Sequence, residues 1–536
     1  MMSSIQTVFV LLAILAAVAV LAQRLNTAPS IFLVVAGVGL AFVPGLPPFI
    51  LAPETVLLVF LPPLLYSAGV AMSWREFRFN LRPIALLAVG CVIFTTCAVA
   101  WAANRWLGME WAVAFILGAI VAPPDAVAPL ALAKRLGMPR RLVVILEGEG
   151  LVNDATALIL YRFAVATVAT GTFSLASATA TFSMIVIGEV LFGIVIGWVS
   201  LRLRSWAKNP RIEIILSLLT PYLAYWVPEH YGGSGVLATV ACGLYVSWVG
   251  PTLISAQTRL QGIFFWDLTI YVIEGMVFLL TGLQARLLME RTQGYSPEHL
   301  FTAAALVTAI IVVARFLWIF PATYIPRWVN SSLAKRDPSP NWKYPFILSF
   351  TGVRGVVSLA AALALPLNTG DGTPFIQRDM ILFIAFGVIV ATLVGQGLML
   401  PTVIRWLGLA KEGRMEMWRE RVAELNARYQ AVDAAFQHLE GLASERKLSR
   451  RVVNLLKERH RHRVRQMPNT LEKKKEIEIY KLNTDVQIEL IAAERAFLYQ
   501  LLRDGKLSDE GRRRIERELD LEEATIYTRR KDGTPL

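Results

Sequence analysis

A run of about 20 consecutive apolar residues leaves a chain few folding outcomes. Hydrocarbon offers no water to backbone N–H and C=O groups, so a segment crossing a bilayer must satisfy them internally. Thirteen such segments occur, at approximately 5–23, 29–46, 51–72, 83–103, 111–133, 142–169, 177–201, 212–227, 234–249, 262–284, 300–325, 344–367 and 379–406. The composition agrees: 55% of the 536 residues are hydrophobic and only 17% are charged, against about 25% charged in a soluble protein. One compact core cannot bury so much hydrocarbon. The expected class is an all-α, polytopic membrane protein.

Charge divides the chain. Residues 1–414 hold 27 Lys+Arg and 18 Asp+Glu, and residues 415–536 hold 26 and 22. The expected domains are therefore a transmembrane part, 1–410, and a helical tail, 411–536. With the N-terminus outside, the inner loops carry twenty Lys and Arg residues, among them Lys134, Arg135, Arg140 and Arg141. The outer loops then carry four, Arg105, Arg286, Arg291 and Arg378. This alternation follows the positive-inside rule and supports a multi-pass protein of the cell (inner) membrane with a cytoplasmic C-terminus. The stretch before the first apolar run has no positive charge, whereas a signal peptide wants one, so segment 5–23 is expected to be a retained span.

In the tail, Met415–Leu442 and Leu471–Leu502 mix apolar residues at helical spacing with charges of both signs, and Met467-Pro468-Asn469 breaks the pattern. A solvated helical bundle and a regulatory or dimer-stabilising module both fit. Cys91, Cys97 and Cys242 lie in apolar runs without metal or disulfide spacing, and His460 and His462 sit in a charged helix. No phosphate loop, cofactor motif or nucleic-acid signature is present, and no cofactor is expected.

Ionisable groups inside a bilayer are costly and mark function. The segments hold Asp125, Glu147, Glu149, Asp154, Arg162, Glu189, Asp267, Glu274, Arg315 and Arg354, seven acids to three bases. That bias suits a cation. In the fifth segment, Pro123-Pro124-Asp125 and Pro129 make a continuous helix implausible, and non-helical backbone at that depth must be buried in protein or line a wet cavity. In the sixth segment, Glu147 and Asp154 share a helical face and Glu149 and Asn153 share another. Asp154 then lies near the break at Asp125 if the two segments are neighbours. A carboxylate there binds either a proton or a dehydrated cation, and competition for one carboxylate is a minimal mechanism of antiport. Arg354, between Gly352 and Gly355 in the twelfth segment, needs a carboxylate partner. The interrupted segments are the fifth and the twelfth, the arrangement expected of inverted repeats with broken crossing helices.

These motifs resemble the monovalent cation:proton antiporters, the family of bacterial Na+/H+ antiporters and animal sodium/proton exchangers. The resemblance covers about residues 50–410 and rests on Pro62-Pro63-Leu-Leu, the Pro-Pro-Asp-Ala-Val-Ala run, Gly148-Glu149-Gly-Leu-Val-Asn153-Asp154, Phe278-Leu-Leu-Thr-Gly-Leu-Gln284, Gly352-Val-Arg354-Gly and Gly395-Gln396-Gly-Leu-Met-Leu-Pro401. It implies the Na+/H+ antiporter fold, with dimerisation and core subdomains, working as a homodimer by alternating access. It assigns Asp154 as the ion- and proton-binding carboxylate, Asn153 beside it, and Asp125 as the acid at the crossover. Asp154 and Asp125 would be the ligands of the transported cation, while Glu149 and Arg354 would form a structural salt bridge in the core. Asn before the key Asp implies electroneutral exchange of one cation (Na+, Li+ or K+) for one proton.

The chain departs from the family at three positions: Gly150 stands where Ser is common, Pro124 where Thr is common, and Ser67 where an acid often follows the aromatic residue. Thr156 or water would then complete the ligand shell, with Glu147 and Ser67 as accessory groups. A K+-selective antiporter is the alternative reading. A cation channel would not need a titrating carboxylate beside a salt-bridged Arg, and no carbonyl filter is present. An intramembrane aspartyl protease, the enzyme alternative, lacks its usual signatures around Asp125 and Asp154. The expected partners are the ions, membrane lipid and a second copy of the chain; an enzyme is not expected.

Overall fold

A computed structural model describes residues 4–24, 28–44, 51–170, 174–368, 375, 377–446, 448–465, 474–504 and 506–533. Every regular element among them is a helix, and they form two compact units, Met1–Ala410 and Lys411–Leu536. The first contains α1 (Ser4–Arg24), α2 (Pro29–Ala41), α3 (Thr55–Ala71), α4 (Leu81–Leu107), α5 (Trp111–Val121), α6 (Val127–Arg135), α7 (Arg140–Thr170), α8 (Leu175–Ala207), α9 (Pro210–His230), α10 (Val236–Leu253), α11 (Ala256–Arg291), α12 (Pro297–Val329), α13 (Lys343–Phe350), α14 (Val356–Leu363) and α15 (Arg378–Trp406). Two short helices, Trp74–Phe79 and Ser331–Arg336, lie in the connections.

The helix boundaries follow local chemistry. Pro29, Pro210 and Pro297 stand in the first turns of α2, α9 and α12, where a missing N–H costs nothing. Ser255 Oγ accepts the Thr258 N–H at the start of α11 (3.2 Å). Glu189, buried on α8, accepts the N–H groups of Ser234 (2.5 Å), Gly235 (3.2 Å) and Leu237 (3.1 Å) at the start of α10. A carboxylate at a helix N-terminus stabilises the free donors and the positive end of the helix dipole.

Among the described residues, six helices are long and apolar enough to cross a membrane by length and composition: Leu81–Leu107, Ala178–Ala207, Val236–Leu253, Ala256–Arg291, Pro297–Val329 and Arg378–Trp406. The 31-residue α7 is not among them. It carries Glu147, Glu149, Asp154 and Arg162, and these four charges lower its apolar character.

Two bundles make up the first unit. In one, α11 packs along α2 and α1, while α10 packs on α3, α8 and α9. In the other, α5 packs on α4, α7 and α14, and α12 packs on α4, α13 and α15. The first bundle is held by backbone-to-backbone glycine contacts. A Cβ at Gly282 on α11 would come 2.8 Å from Gly37 Cα on α2, and one at Gly37 would come 2.9 Å from Gly282 Cα. Gly69 on α3 and Gly243 on α10 meet in the same way, at 3.2 and 3.0 Å. Small residues at a crossing let membrane helices gain dispersion contacts where lipid supplies no hydrophobic drive.

At one end of the second bundle, Asp337 gathers three arginines from separate elements: Arg82 (3.0 Å), Arg141 (2.8 Å) and Arg327 (2.7 Å). The second unit holds all but the first two residues of α16 (Leu409–Glu445), together with α17 (Arg450–Arg465), α18 (Lys474–Arg503) and α19 (Asp509–Gly533). Ile491 and Leu498 of α18 bury against Leu519 and Ile526 of α19, and Arg495 bridges to Asp520 (2.6 Å) and Glu523 (2.5 Å). The break expected at Met467-Pro468-Asn469 lies outside the described residues.

The glycine crossing gives a direct test. Gly282→Val should destabilise the protein by about 1–3 kcal/mol through overpacking against fixed backbone. Gly262→Ala, on the same helix with nothing within 4 Å of its would-be Cβ, should leave the detergent melting temperature unchanged or slightly raised. Equal melting of the two variants would contradict the tight α2–α11 crossing.

Candidate functional site

Both interrupted segments are broken in the structure, and the breaks meet. Between α5 and α6, residues 122–126 leave the helix, and between α13 and α14, residues 351–355 do so. The Asp125 N–H donates to Val353 O across the crossing (2.7 Å). Asp125 Oδ1 accepts the Val127 N–H (2.8 Å) and so covers the open start of α6. A side chain at Gly355 would collide with the Asp125 carboxyl, which explains glycine at this closest approach.

Arg354 serves the same junction. Its Nε donates to Val121 O (3.0 Å), its Nη2 to Ala122 O (3.2 Å) and its Nη1 to Gly352 O. Its backbone N–H donates to Thr392 Oγ1 (3.0 Å). The guanidinium therefore caps the carbonyl end of α5, where the helix dipole is negative and the carbonyls have lost their helical partners.

Glu149 does not pair with Arg354, which corrects the expectation from sequence. Both of its oxygens are taken by Arg315 of α12, through Nη1 (2.5 Å) and Nη2 (2.7 Å), and Arg315 Nε donates to Leu348 O (3.0 Å). The physical reason lies in the acceptors on offer. The broken helix supplies Arg354 with free carbonyls, whereas Arg315 lies in a continuous helix and finds its bidentate acceptor in Glu149.

Asn153 is fully buried, and its Nδ2 donates to Pro124 O (2.5 Å), a carbonyl freed by the break, while its Oδ1 has no partner. Asp154 is half-buried and makes no hydrogen bond or ion pair among the described residues. It lines a cavity of about 390 Å³ together with Asp125, Ser67, Glu147, Lys134, Glu274 and Ser358. Glu147 is paired with Lys134 (2.5 Å). Thr156 is buried and does not line the cavity. Two residues beyond Asp154 it is turned about 200° around α7, so it is no substitute ligand for this site. The hydroxyl absent at Gly150 would in any case be crowded, since a Cβ there meets Ala126 Cβ at 2.8 Å.

Asp125, Asn153, Asp154, Glu147 and Ser67 are thus brought to the crossing or its cavity, and Thr156 is not. Two residues were visible in the sequence only as charges in apolar runs, Arg315 as the true partner of Glu149 and Glu274 as a further cavity carboxylate. The cost of a buried charge applied to them equally, and neither stands in a conspicuous motif. No group of three or more His, Cys, Asp or Glu side chains suited to hold a resident metal is found among the described residues.

Residues 10–406 match the protein family described as "Sodium/hydrogen exchanger, transmembrane". The chain is 36% identical over 466 residues to an uncharacterized Na+/H+ exchanger of Mycobacterium tuberculosis, covering 85% of this chain and 83% of that protein. It is 32% identical to a Na+/H+ antiporter of Aphanothece halophytica, over 76% of this chain and 75% of the relative. A sodium, potassium, lithium and rubidium/H+ antiporter of Bacillus pumilus is 33% identical over 66% of this chain, which spans about half of that protein (54%). The solved sodium proton antiporter of Methanocaldococcus jannaschii at pH 8 has the same fold, with a TM-score of 0.56 at 17% identity, covering 76% of this chain and 97% of that one.

The two buried arginines predict different mutational behaviour. Glu149→Ala strands the Arg315 charge and should cost about 3–5 kcal/mol, read as a lower melting temperature in detergent. Adding Arg315→Ala should recover part of that loss, whereas adding Arg354→Ala should deepen it. Recovery with Arg354→Ala and none with Arg315→Ala would reverse the pairing.

Proposed function

The chain belongs to the sodium/hydrogen exchanger family, and we propose that it exchanges protons for Na+ at Asp154 by alternating access. The observation that carries this reading is the state of that one carboxylate. Glu149 is held by Arg315, Glu147 by Lys134 and Asp125 partly by the start of α6. Among the described residues, Asp154 is the carboxylate of the crossed-helix wall without a hydrogen bond or ion pair, and it faces the cavity. Its desolvation is offset by a proton in one half of the cycle and by a cation in the other, so the two ligands compete. Asn153 beside it is neutral, which favours one cation per proton and an electroneutral cycle. The Asp125 carboxylate, which lines the same cavity, is a further candidate ligand, while the unpartnered Asn153 Oδ1 is buried at the crossing, outside the cavity lining, and would have to turn to reach the ion.

In this reading thirteen spans place the N-terminus outside and residues 411–536 in the cytoplasm as a helical tail, in a multi-pass protein of the inner membrane. The cavity reaches Lys134, next to the basic loop Arg135–Arg141, and with that loop inside, it would open to the cytoplasm. About two turns further along α7 the opposite side is closed. There Arg162 Nη1 donates to Gly233 O (2.5 Å), and Nη2 pairs with Glu229 of α9, joining the two bundles. Exposed apolar side chains on α8 and α11, such as Met184 (79% exposed) and Phe264 (72%), suit lipid or a second copy, as a homodimer requires.

A broader substrate range, with K+ and Li+ accepted beside Na+, has its own support. Gly150 and Pro124 supply no hydroxyl to the cavity, and a shell with few fixed ligands discriminates less by ion size. The Bacillus pumilus relative, named for four cations, fits that reading.

Purified protein in liposomes with an internal pH dye, given Na+, Li+ and K+ in turn, tests both. Asp154→Asn should abolish cation-driven proton movement while melting within about 1 kcal/mol of the wild type, because the amide keeps the shape of a group that is already neutral for half of each cycle. Persistent exchange in the folded variant would remove Asp154 from the mechanism.

A further inference from the structure

The wall of the cavity facing the crossed helices carries a carboxylate that the exchange reading leaves unused. Glu274 stands midway along α11 and lines the same cavity as Asp125 and Asp154. It makes no hydrogen bond or ion pair among the described residues and is only partly buried. Its neighbours in the helix, Ile273, Gly275, Met276 and Val277, are apolar or carry no side chain. A carboxylate without a counter-charge in such a stretch is costly and marks function by default. The only cation at the cavity, among its described lining residues, is Lys134, already paired with Glu147.

Its position in the fold says what that charge does. Asp125 and Asp154 belong to the bundle of crossed helices. Glu274 belongs to the other bundle, on the helix locked to α2 by the Gly37–Gly282 contact. Any movement that closes this cavity and opens the opposite side changes the distance between Glu274 and Asp154, because each is fixed in a different packed body.

We propose that Glu274 is the cation-gathering carboxylate of the opposite wall, concentrating cations at Asp154 while the cavity is open and withdrawing from it when the bundles shift. Glu274 therefore sets cation affinity on the cytoplasmic face alone. A cleft lined by charge of one sign raises the local concentration of counter-ions, and Asp154 draws on that concentration. The inference rests on Asp154 as the exchange site and adds to it an asymmetry between the two faces.

Everted membrane vesicles present the cytoplasmic face to added Na+, and right-side-out vesicles present the other. Glu274→Gln should raise the cytoplasmic KM for Na+ roughly three- to tenfold, with the maximal rate and the KM at the outer face unchanged. Glu274→Asp should stay close to wild type. Ser67→Glu, placed in the Glu274→Gln background, should lower the raised KM again, because Ser67 lines the same cavity from α3 in the same bundle. A merely structural Glu274 would not be rescued by charge from another helix.

An unchanged cytoplasmic KM, an equal rise on both faces, or no rescue by Ser67→Glu would each overturn the proposal. If Glu274→Gln fails to fold, Ser67→Glu in the otherwise native chain should lower the cytoplasmic KM, and no change there overturns it equally. Absence of Na+-driven proton movement in the wild type would instead sink the reading of Asp154. Normal wild-type exchange with an unaltered variant KM sinks only the role of Glu274.

Discussion

Breaking a helix inside a membrane frees backbone groups that water cannot reach, and the whole site depends on how two such breaks satisfy one another. The Asp125 N–H goes to Val353 O, the Asp125 carboxylate goes to the start of α6, and Arg354 covers the carbonyl end of α5. Each unsatisfied group would cost several kcal/mol in hydrocarbon. The crossing is therefore stable only when every member is in place, and glycine at 355 is what lets the two segments come close enough. The reward is irregular backbone at mid-depth, with carbonyls, N–H groups and carboxylates turned to one cavity.

Charge is sorted around that crossing by whether it has a partner. Buried pairs such as Glu149–Arg315 are fixed: separating them would strand an ion on each side. Arg354 has no carboxylate partner and draws instead on carbonyl dipoles at a helix end, so its charge stabilises the junction without consuming an acid. Among the described residues, that distribution leaves Asp154 and Glu274 without a hydrogen bond or ion pair. A transport site needs this condition, because a carboxylate already neutralised by an arginine has nothing left to offer a passing cation.

Much of this was legible in the sequence, and the failures have a common cause. Apolar runs mark the helices because the bilayer demands them, and Pro123-Pro124-Asp125 marks the break because proline removes donors. Asp154 and Asn153 stand out as polar groups in an apolar segment. What a linear sequence does not carry is which face of one helix meets which face of another. The requirement that Arg354 find a counter-charge was sound, but carbonyl ends created by a break elsewhere in the chain met it. Arg315, an equally buried charge in a plain apolar run, had the same requirement and took Glu149. Thr156 failed for a simpler reason, since helical geometry turns it away from Asp154. The convergence of Arg82, Arg141 and Arg327 on Asp337 was hidden too, because all three arginines look like ordinary positive-inside loop residues.

The same constraints bear on how exchange would proceed under the proposed function. The crossed helices cannot flex individually, because each hydrogen bond at the junction satisfies a group that would otherwise be bare. The opposite bundle is equally stiff where α2 and α11, and α3 and α10, touch backbone to backbone. Two rigid bodies with a cavity between them have one inexpensive freedom, displacement of one against the other. Arg162 with Glu229 and Gly233 is a polar link between them outside the cavity. Opening the outer side would require that link to part, at a cost the arriving water can offset by solvating both ends. Asp154 lies on the same helix as Arg162, so under the proposed function the exchanging carboxylate and the arginine of that link would move as one piece.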